Sequence, residues 1–183
     1  MNKIWFLPLG FILLSGLLAL NGCIDIDHKE FTFPPYFSFE YPVSYEGPIL
    51  THSPLSFEFL YATESAPENA KRIYISGFRP SYLYPDIDSL LKHLLSRAGG
   101  TDDIWFLKLY ERSIIEISGI EGELFVYLHY GHGIRPAVTR TVREVIFVHK
   151  ERAWILGIDS WPVYDQEAKA DFTHILETFK ILD

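Results

Sequence analysis

The sequence predicts one small α+β domain built around an antiparallel sheet. An apolar stripe with helical spacing marks one helix, and several short apolar or alternating runs mark strands. Aromatic residues make up 16% of the chain, which favours β-rich packing. The chain has 183 residues, enough to bury one hydrophobic core. The helical stripe consists of Ile87, Leu90, Leu91, Leu94, Leu95 and Ala98.

Three strands are predicted before this helix. Residues 37–41 alternate aromatic and polar side chains, the period of a half-buried strand, and flanking prolines keep it short. Residues 55–61 and 71–78 form a hairpin with a longer loop. The helix opens at Asp86 and ends before Gly99-Gly100.

After this helix the chain alternates strands and turns over residues 104–160 and closes with a helix over 165–178. In residues 145–148 and 154–158 both alternating sets are apolar, so these strands are covered on both faces or lie at the sheet centre. We expect the last helix to bury Ala168, Phe172, Ile175, Leu176 and Phe179. We expect it to expose Glu167, Lys169, Asp171 and Glu177.

The N-terminus has the pattern of a targeting segment. A basic start at Lys3 precedes 17 uncharged residues, and then comes Leu20-Asn21-Gly22-Cys23. This resembles the lipobox of bacterial lipoproteins, although Asn21 departs from the usual small or β-branched residue. The sequence therefore predicts a signal peptide over 1–22, a lipidated cysteine and tether over 23–30, and one domain over 31–183. An uncleaved anchor helix and ordinary secretion are the alternatives.

The lipobox resemblance implies an address and one partner. A diacylglycerol on the Cys23 sulfur would hold the protein at a lipid bilayer, on the extracytoplasmic face of a bacterial cell membrane, or on the periplasmic side in a host with two membranes. Cys23 is also the sole cysteine, so a monomer forms no disulfide. Asp25 and Asp27 belong to the predicted solvated tether.

Charge excludes one class of partner. The formal net charge is −8, whereas nucleic-acid binding needs clustered lysine and arginine. No cofactor is predicted, because the sequence has no phosphate-binding loop, no dinucleotide fingerprint, no G-x-S-x-G elbow and no H-E-x-x-H motif.

Four segments stand in this order along the chain: F-S-F-E-Y-P-V-S-Y, F-E-F-L-Y-A-T-E-S-A-P-E-N-A-K-R-I-Y-I, R-E-V-I-F-V-H-K-E-R-A-W-I-L-G-I-D-S and F-T-H-I-L-E-T-F-K-I-L. They resemble the opening strand, the first long hairpin, the closing hairpin and the final helix of the PsbP-like family. The resemblance spans about residues 31–182, and Tyr45 departs from a frequent tryptophan. It implies a central antiparallel sheet with helices on both faces, an α/β/α sandwich. Members include an extrinsic photosystem subunit, a Ran-binding release factor and many lipid-anchored bacterial proteins. They share no catalytic motif.

Few residues suggest chemistry. His129 and His132 flank a strand end and a turn, and with His149 as a third ligand they are weak candidates for a metal site. Five basic side chains could together bind an anion, although basic side chains on neighbouring strands more often pair with carboxylates of the protein. These residues are Arg135, Arg140, Arg143, Lys150 and Arg152. Five aromatic side chains could line a pocket or a partner surface, although at these spacings aromatic residues more often belong to the core and its rim. These residues are Tyr82, Tyr84, Trp105, Trp154 and Trp161.

Taken together, these patterns favour a non-enzymatic lipoprotein that binds a protein or a small ligand, or that supports assembly of an envelope complex. Two alternatives stay open: a metal-binding envelope protein that uses His129 and His132, and a hydrolase with an unrecognised site. The hydrolase alternative requires a concave pocket that holds an acid–base pair with shifted pKa values.

Overall fold

A computed structural model of the protein describes residues 27–51, 55–61, 70–98, 106–130 and 139–182. The predicted signal peptide and Cys23 lie outside these residues, as do His132, Arg135 and Trp105. Within the described ranges, neither helix is long and apolar enough to cross a membrane.

The described chain is mostly β-sheet with two helices. The strands are β1 (His28–Phe33), β2 (Phe37–Pro42), β3 (Tyr45–Leu50), β4 (Ser56–Tyr61), β5 (Lys71–Phe78), β6 (Phe106–Ile117), β7 (Ile120–Tyr130), β8 (Thr139–His149), β9 (Arg152–Ser160) and β10 (Lys180–Ile181). The helices are α1 (Ile87–Ala98) and α2 (Asp165–Thr178), and a 3₁₀ turn spans Pro162–Tyr164.

Two antiparallel sheets organise the molecule. The larger has seven strands in the order β3-β4-β5-β9-β8-β7-β6, and the smaller has three in the order β1-β2-β10. Hairpins join most neighbours of the large sheet, but β5 pairs with β9, and three strands lie between these two in the chain. This pairing joins the N-terminal and C-terminal halves of the domain into one sheet.

The central position predicted for the doubly apolar strands is confirmed. Strand β9 is the middle strand of the large sheet, with β8 beside it. Val145, Ile146 and Phe147 are all buried, and so are Trp154 and Leu156. A strand with neighbours on both edges and packing on both faces has no place for alternating polar side chains, which explains its continuous apolar run.

Alternate residues of β8 and β9 enter two separate hydrophobic clusters. The first contains Val145 and Phe147 together with buried residues of α2 and of the small sheet. The second contains Ile146 and Ala153 together with the apolar stripe of α1. The small sheet contributes aromatic rings to the first cluster: Phe31, Phe37 and Phe39 pack against Phe57, Phe59, Trp154 and Phe179.

Three strands of the structure differ from the prediction. Strand β1 begins at His28, so the last three residues of the predicted tether pair with β2. Residues 28–30 are exposed and polar because β1 is an edge strand, and that composition resembles a linker. Strands β3 and β10 were not predicted. Strand β3 is exposed over most of its length, and β10 has two residues.

The predicted exposure of Asp171 was wrong. This residue is 7% exposed, and its carboxylate accepts hydrogen bonds from the Tyr45 hydroxyl at 2.7 Å and the Lys71 ammonium at 3.0 Å. The Lys71 ammonium is itself buried and lies 4.0 Å from the centre of the Tyr61 ring. A long-range ion pair therefore fixes α2 to β5, and helical periodicity alone gave no sign of it.

Candidate binding pocket

A concave pocket of about 700 Å³ lies on the face of the large sheet that carries α1. Helix α1 packs over one end of this face, where the side chains are apolar, and leaves the other end open. The pocket volume falls within the roughly 300–1,000 Å³ typical of small-molecule sites. The lining residues of the sheet are Glu58, Leu60, Arg72, Tyr74, Ser76, Phe78, Tyr127, His129, Arg140, Val142, Glu144, Ile155 and Asp159, and those of α1 are Leu94, Arg97 and Ala98.

A charged network forms part of the pocket floor. Asp159 is 3% exposed, and its two carboxylate oxygens accept hydrogen bonds from two different arginines, Arg72 and Arg140. Arg72 also donates to the Glu58 carboxylate at 3.2 Å. These residues lie on β4, β5, β8 and β9, so the network crosses the centre of the sheet. Guanidinium–carboxylate contacts of this kind hold both partners in fixed orientations.

Glu144 is the second buried carboxyl group of the pocket. The Tyr74 hydroxyl donates a hydrogen bond to it at 2.8 Å. Burial raises the pKa of Glu144, and hydrogen bonds from Tyr74 and Tyr127 oppose that rise. Burial and the nearby Glu144 carboxylate raise the pKa of the Tyr74 hydroxyl well above its ordinary value. An ionisable pair perturbed by burial inside a pocket is a recognised mark of a functional site.

A glycine permits the contact between Tyr74 and Glu144. On the sheet, Gly157 of β9 stands between them, paired with Tyr74 on one side and with Glu144 on the other. A Cβ atom at Gly157 would lie 2.4 Å from the Tyr74 Cζ and 2.5 Å from its hydroxyl oxygen. The ring therefore crosses the bare backbone of β9 to reach β8. No other residue type leaves this space open.

Known structures identify the fold. The chain has a TM-score of 0.57 with LpqN of Mycobacterium tuberculosis, which is involved in cell envelope biogenesis, at 15% identity over 87% of this chain and 92% of LpqN. It has a TM-score of 0.56 with the Ran-binding protein Mog1p of Saccharomyces cerevisiae, at 7% identity over 86% of this chain and 97% of Mog1p. A cyanobacterial PsbP (CyanoP) of Synechocystis sp. PCC 6803 gives 0.55, at 9% identity over 90% of this chain and 98% of CyanoP. The fold is PsbP-like.

The remaining comparisons with known proteins give no further information on function. The PsbP-like chain spans about half, 48%, of a protein from Bacteroides thetaiotaomicron, with a TM-score of 0.52 and 16% identity. No family model matches the sequence, and no curated protein matches it. Likeness at such low identity establishes the fold and leaves the function open.

Two of the three histidines proposed from sequence, His129 and His149, lie far apart. His129 lies in the pocket and pairs with Arg140, near the start of β8. His149 is the last residue of β8, nine positions further along, which separates the two by roughly 30 Å at strand spacing. His132 lies outside the described residues. The structure therefore does not bring His149 to His129 as a third ligand, and a site at His129 and His132 stays a prediction.

The predicted cations pair with protein groups. Arg143 contacts the Asp165 carboxylate through two nitrogens, at 2.6 and 3.0 Å, which lowers the pKa of Asp165. Lys150 donates to the backbone carbonyls of Pro35 and Leu182. Because Arg140 and Arg143 are three positions apart on one strand, they point to opposite faces of the sheet. The described cations therefore form no single anion patch, and carboxylate pairing is confirmed for Arg140 and Arg143.

The predicted aromatics divide between core and surface. Trp154 is fully buried at the centre of the first hydrophobic cluster. Tyr84 stacks on His93 of α1 at 4.4 Å between ring centres. Tyr82 and the neighbouring Leu83 are 99% and 74% exposed, on the segment between β5 and α1. Of the predicted aromatics that the structure describes, Tyr82 is therefore the one that lies fully on the surface.

One cluster of residue types that bind metal ions was not predicted from the sequence. His28 of β1, Glu40 of β2 and His174 of α2 place one ligand atom each within 4.8 Å of one another. Two of these residues lie at the start of the domain and the third lies near its end, at separations no local motif covers. A pattern search along the chain could not have found the cluster.

Proposed function

We propose that this chain is a lipid-anchored, non-enzymatic binding protein of the bacterial envelope, and that its PsbP-like domain holds a small ligand in the pocket beside α1. The observation that carries the proposal is the floor of this pocket, where Asp159 and Glu144 lie buried and hydrogen-bonded. A concave pocket whose lining combines apolar side chains with a few fixed polar groups is the usual form of a small-molecule site.

The anchor is supported by the N-terminal sequence. A basic start, an uncharged run and a single cysteine after Gly22 follow the order of a lipoprotein signal. Two or three acyl chains on Cys23 would bury many methylene groups, each contributing about 0.8 kcal/mol, and would hold the domain stably at a bilayer. The description of LpqN as a protein involved in cell envelope biogenesis is compatible with this address.

The arrangement of the helices is part of the proposal. We infer an α/β/α sandwich in which α1 and α2 cover opposite faces of the large sheet. Support comes from the alternation in β8, where Ile146 joins the cluster with α1 while its neighbours Val145 and Phe147 join the cluster with α2. This arrangement leaves the free end of the α1 face as the place for a ligand.

Binding is favoured over catalysis by the state of the acidic groups. Asp159 is shared between Arg72 and Arg140, and Glu144 accepts hydrogen bonds from two tyrosines. Donors of the protein therefore hold both carboxylates, whereas a general base or a nucleophile is directed at the substrate. The description of Mog1p as Ran-binding agrees with a binding role for this fold.

The lining indicates the chemistry of the ligand. Apolar side chains such as Leu60 and Val142 alternate with hydrogen-bonding groups of both charges. Such a wall suits a small organic molecule with an apolar body and polar groups that both donate and accept. The protein partner of an assembly function would instead contact the exposed Tyr82–Leu83 segment.

Ligand binding in the pocket is tested with a variant whose larger side chain occupies part of the pocket. The full chain is extracted from bacterial membranes in detergent and examined by native mass spectrometry for a bound small molecule. Leu60→Trp narrows the pocket, whereas Leu50→Trp adds the same bulk on the exposed strand β3. We expect the bound species with wild type and Leu50→Trp and its loss with Leu60→Trp. Equal occupancy in all three proteins, or none in wild type, refutes the pocket proposal.

Anchoring is tested separately at the cysteine. Cells expressing wild type or Cys23→Ala are grown with a clickable palmitate analogue and fractionated. We expect labelled wild type in the membrane fraction, and unlabelled, unprocessed Cys23→Ala. Label on the variant, or the same processing and fractionation for both proteins, refutes the lipid anchor without bearing on the pocket.

A hydrolase is the second candidate, and the raised pKa of Glu144 is the observation that favours it. A protonated carboxyl in a pocket can act as a general acid. Purified wild type and Glu144→Gln are assayed on a panel of chromogenic ester, amide, glycoside and phosphate substrates. Turnover by wild type that is lost in Glu144→Gln would establish this alternative over the binding role.

A further inference from the structure

Two imidazoles and a carboxylate converge beside the small sheet, and none of the three residues lines the pocket. The rings of His28 and His174 stack with centres 3.8 Å apart and planes 22° from parallel. The Glu40 carboxylate lies 3.3 Å from the His174 Nε2. One ligand atom from each residue falls within a common distance of 4.8 Å.

The fold holds these residues together from three directions. Glu30 of β1 lies opposite Glu40 of β2, so His28, two positions earlier, projects from the same face as Glu40. On α2, Thr178 lies one turn after His174 and accepts a hydrogen bond from the Glu40 backbone N–H at 3.1 Å. The last helix is therefore fixed to β2 at the point where the cluster forms.

We propose that His28, Glu40 and His174 bind one divalent transition-metal ion of the zinc type, which ties the first strand of the domain to its last helix. Two imidazole nitrogens and one carboxylate oxygen are a ligand set that zinc uses, with water in the fourth position. Calcium and magnesium prefer oxygen ligands alone and are not expected here.

To accept the ion, the stacked imidazole rings must turn and the ligand atoms must approach one another, because the lone pair of an imidazole nitrogen lies in the plane of its ring. Zinc–nitrogen and zinc–oxygen bonds of about 2.0–2.2 Å place ligand atoms roughly 3.4 Å apart in a tetrahedral site. The three atoms therefore need to close by about 1.4 Å at most. His28 is exposed and lies at the beginning of an edge strand, so its ring has room to turn.

One nitrogen of the cluster lacks a hydrogen bond. The His174 Nε2 is shielded from solvent, yet its contact with Glu40 does not have hydrogen-bond geometry. A buried polar atom without a partner is destabilising and is uncommon in folded proteins. A metal ion between the two residues would satisfy both atoms at once.

The position of the site would let the ion connect the two ends of the domain. His28 follows Cys23 by five residues, which span no more than about 18 Å. If the proposed lipid anchor is correct, the ion fixes the membrane-proximal end of the chain to the body of the domain. The metal site itself does not depend on that anchor or on the pocket.

Zinc binding is measured on the full chain, purified in detergent without a histidine tag, by competition with a fluorescent zinc chelator. His28→Gln and Glu40→Gln remove one ligand each at positions with solvent access, and His93→Gln on α1 is the matched histidine control. We expect one zinc per chain and an affinity lowered at least tenfold by either ligand variant, because loss of even an outer-shell partner typically costs about 10–100-fold.

His93→Gln should bind zinc as wild type does. The proposal is overturned if wild type binds no zinc, if His28→Gln and Glu40→Gln bind it unchanged, or if His93→Gln loses it equally. Circular dichroism of each variant shows that it has folded, and a thermal shift on zinc addition, present in wild type and absent in His28→Gln, gives an independent readout.

Discussion

The bare backbone at Gly157 is the feature of the pocket most open to a quantitative test. We predict that Gly157→Ala destabilises the domain by about 3 kcal/mol. The new Cβ would lie 2.4 Å from the Tyr74 Cζ, whereas ordinary contact begins near 3.4 Å. Tyr74 must therefore retreat by about 1 Å, and its 2.8 Å hydrogen bond to Glu144 breaks.

Three contributions make up this estimate. Forcing a methyl group into a packed site costs about 1–3 kcal/mol. Leaving the buried Glu144 acceptor without its Tyr74 donor costs about 1–3 kcal/mol. Replacing glycine by alanine restores about 0.4–1 kcal/mol by reducing the entropy of the unfolded chain. The first two terms exceed the third, so the sign of the change is fixed even at their lower limits.

Urea unfolding followed by tryptophan fluorescence measures the effect. With an m value of about 2 kcal/mol per molar, a loss of 3 kcal/mol lowers the midpoint by roughly 1.5 M. A double-mutant cycle with Tyr74→Leu isolates the cause, because leucine removes the ring atoms that the methyl group meets. In that background Gly157→Ala should cost about 1 kcal/mol or less. An equal cost in both backgrounds, or an unchanged midpoint, would refute the reasoning.

Three further predictions concern charged groups. Because burial raises the folded-state pKa of Glu144, the native state binds more protons than the unfolded state. The free energy that Glu144 contributes to folding therefore falls as pH rises above about 4.3. Glu144→Gln should remove this decline from urea midpoints measured between pH 4 and 8. Because Arg143 lowers the pKa of Asp165, the ion pair between them stabilises the fold fully above about pH 4, and this stabilisation is lost as pH falls through the folded-state pKa of Asp165. Asp165→Asn should therefore be less stable than wild type at pH 7, and the two proteins should become equally stable in acid unfolding. Lys71→Met leaves Asp171 buried without its ion-pair partner and should lower the free energy of unfolding, measured in urea, by about 3–5 kcal/mol. The double variant Lys71→Met with Asp171→Leu should lose less. A double variant as unstable as the single one would contradict this.

Much of the fold could be predicted because it is encoded locally. The stripe of α1 is a property of twelve consecutive residues, and the structure has a helix there from Ile87 to Ala98. The doubly apolar strands β8 and β9 were predicted at the sheet centre, and they lie there. The first three residues of strand β1 were assigned to the tether because an exposed edge strand carries the same polar side chains as a linker.

The pocket could not be predicted because its parts meet only across the sheet. Arg72 and Asp159 are separated by 87 positions, and the pairing of β5 with β9 brings them together. Nothing in the sequence near Arg72 specifies that partner strand. Gly157 was a visible signal, since glycine within an apolar strand often marks a close approach, but the approaching group was identified only in the structure.

By itself the sequence determined the predicted address at Cys23, the α+β class and the resemblance to the PsbP-like family, because targeting signals and helical or strand periodicity are read from neighbouring residues. Only the tertiary structure decided which side chains share a site. His28 meets Glu40 and His174 because strand pairing and helix packing overcome separations that the chain order does not record. Local chemistry selects the elements, and burial of their apolar faces determines which distant groups become neighbours.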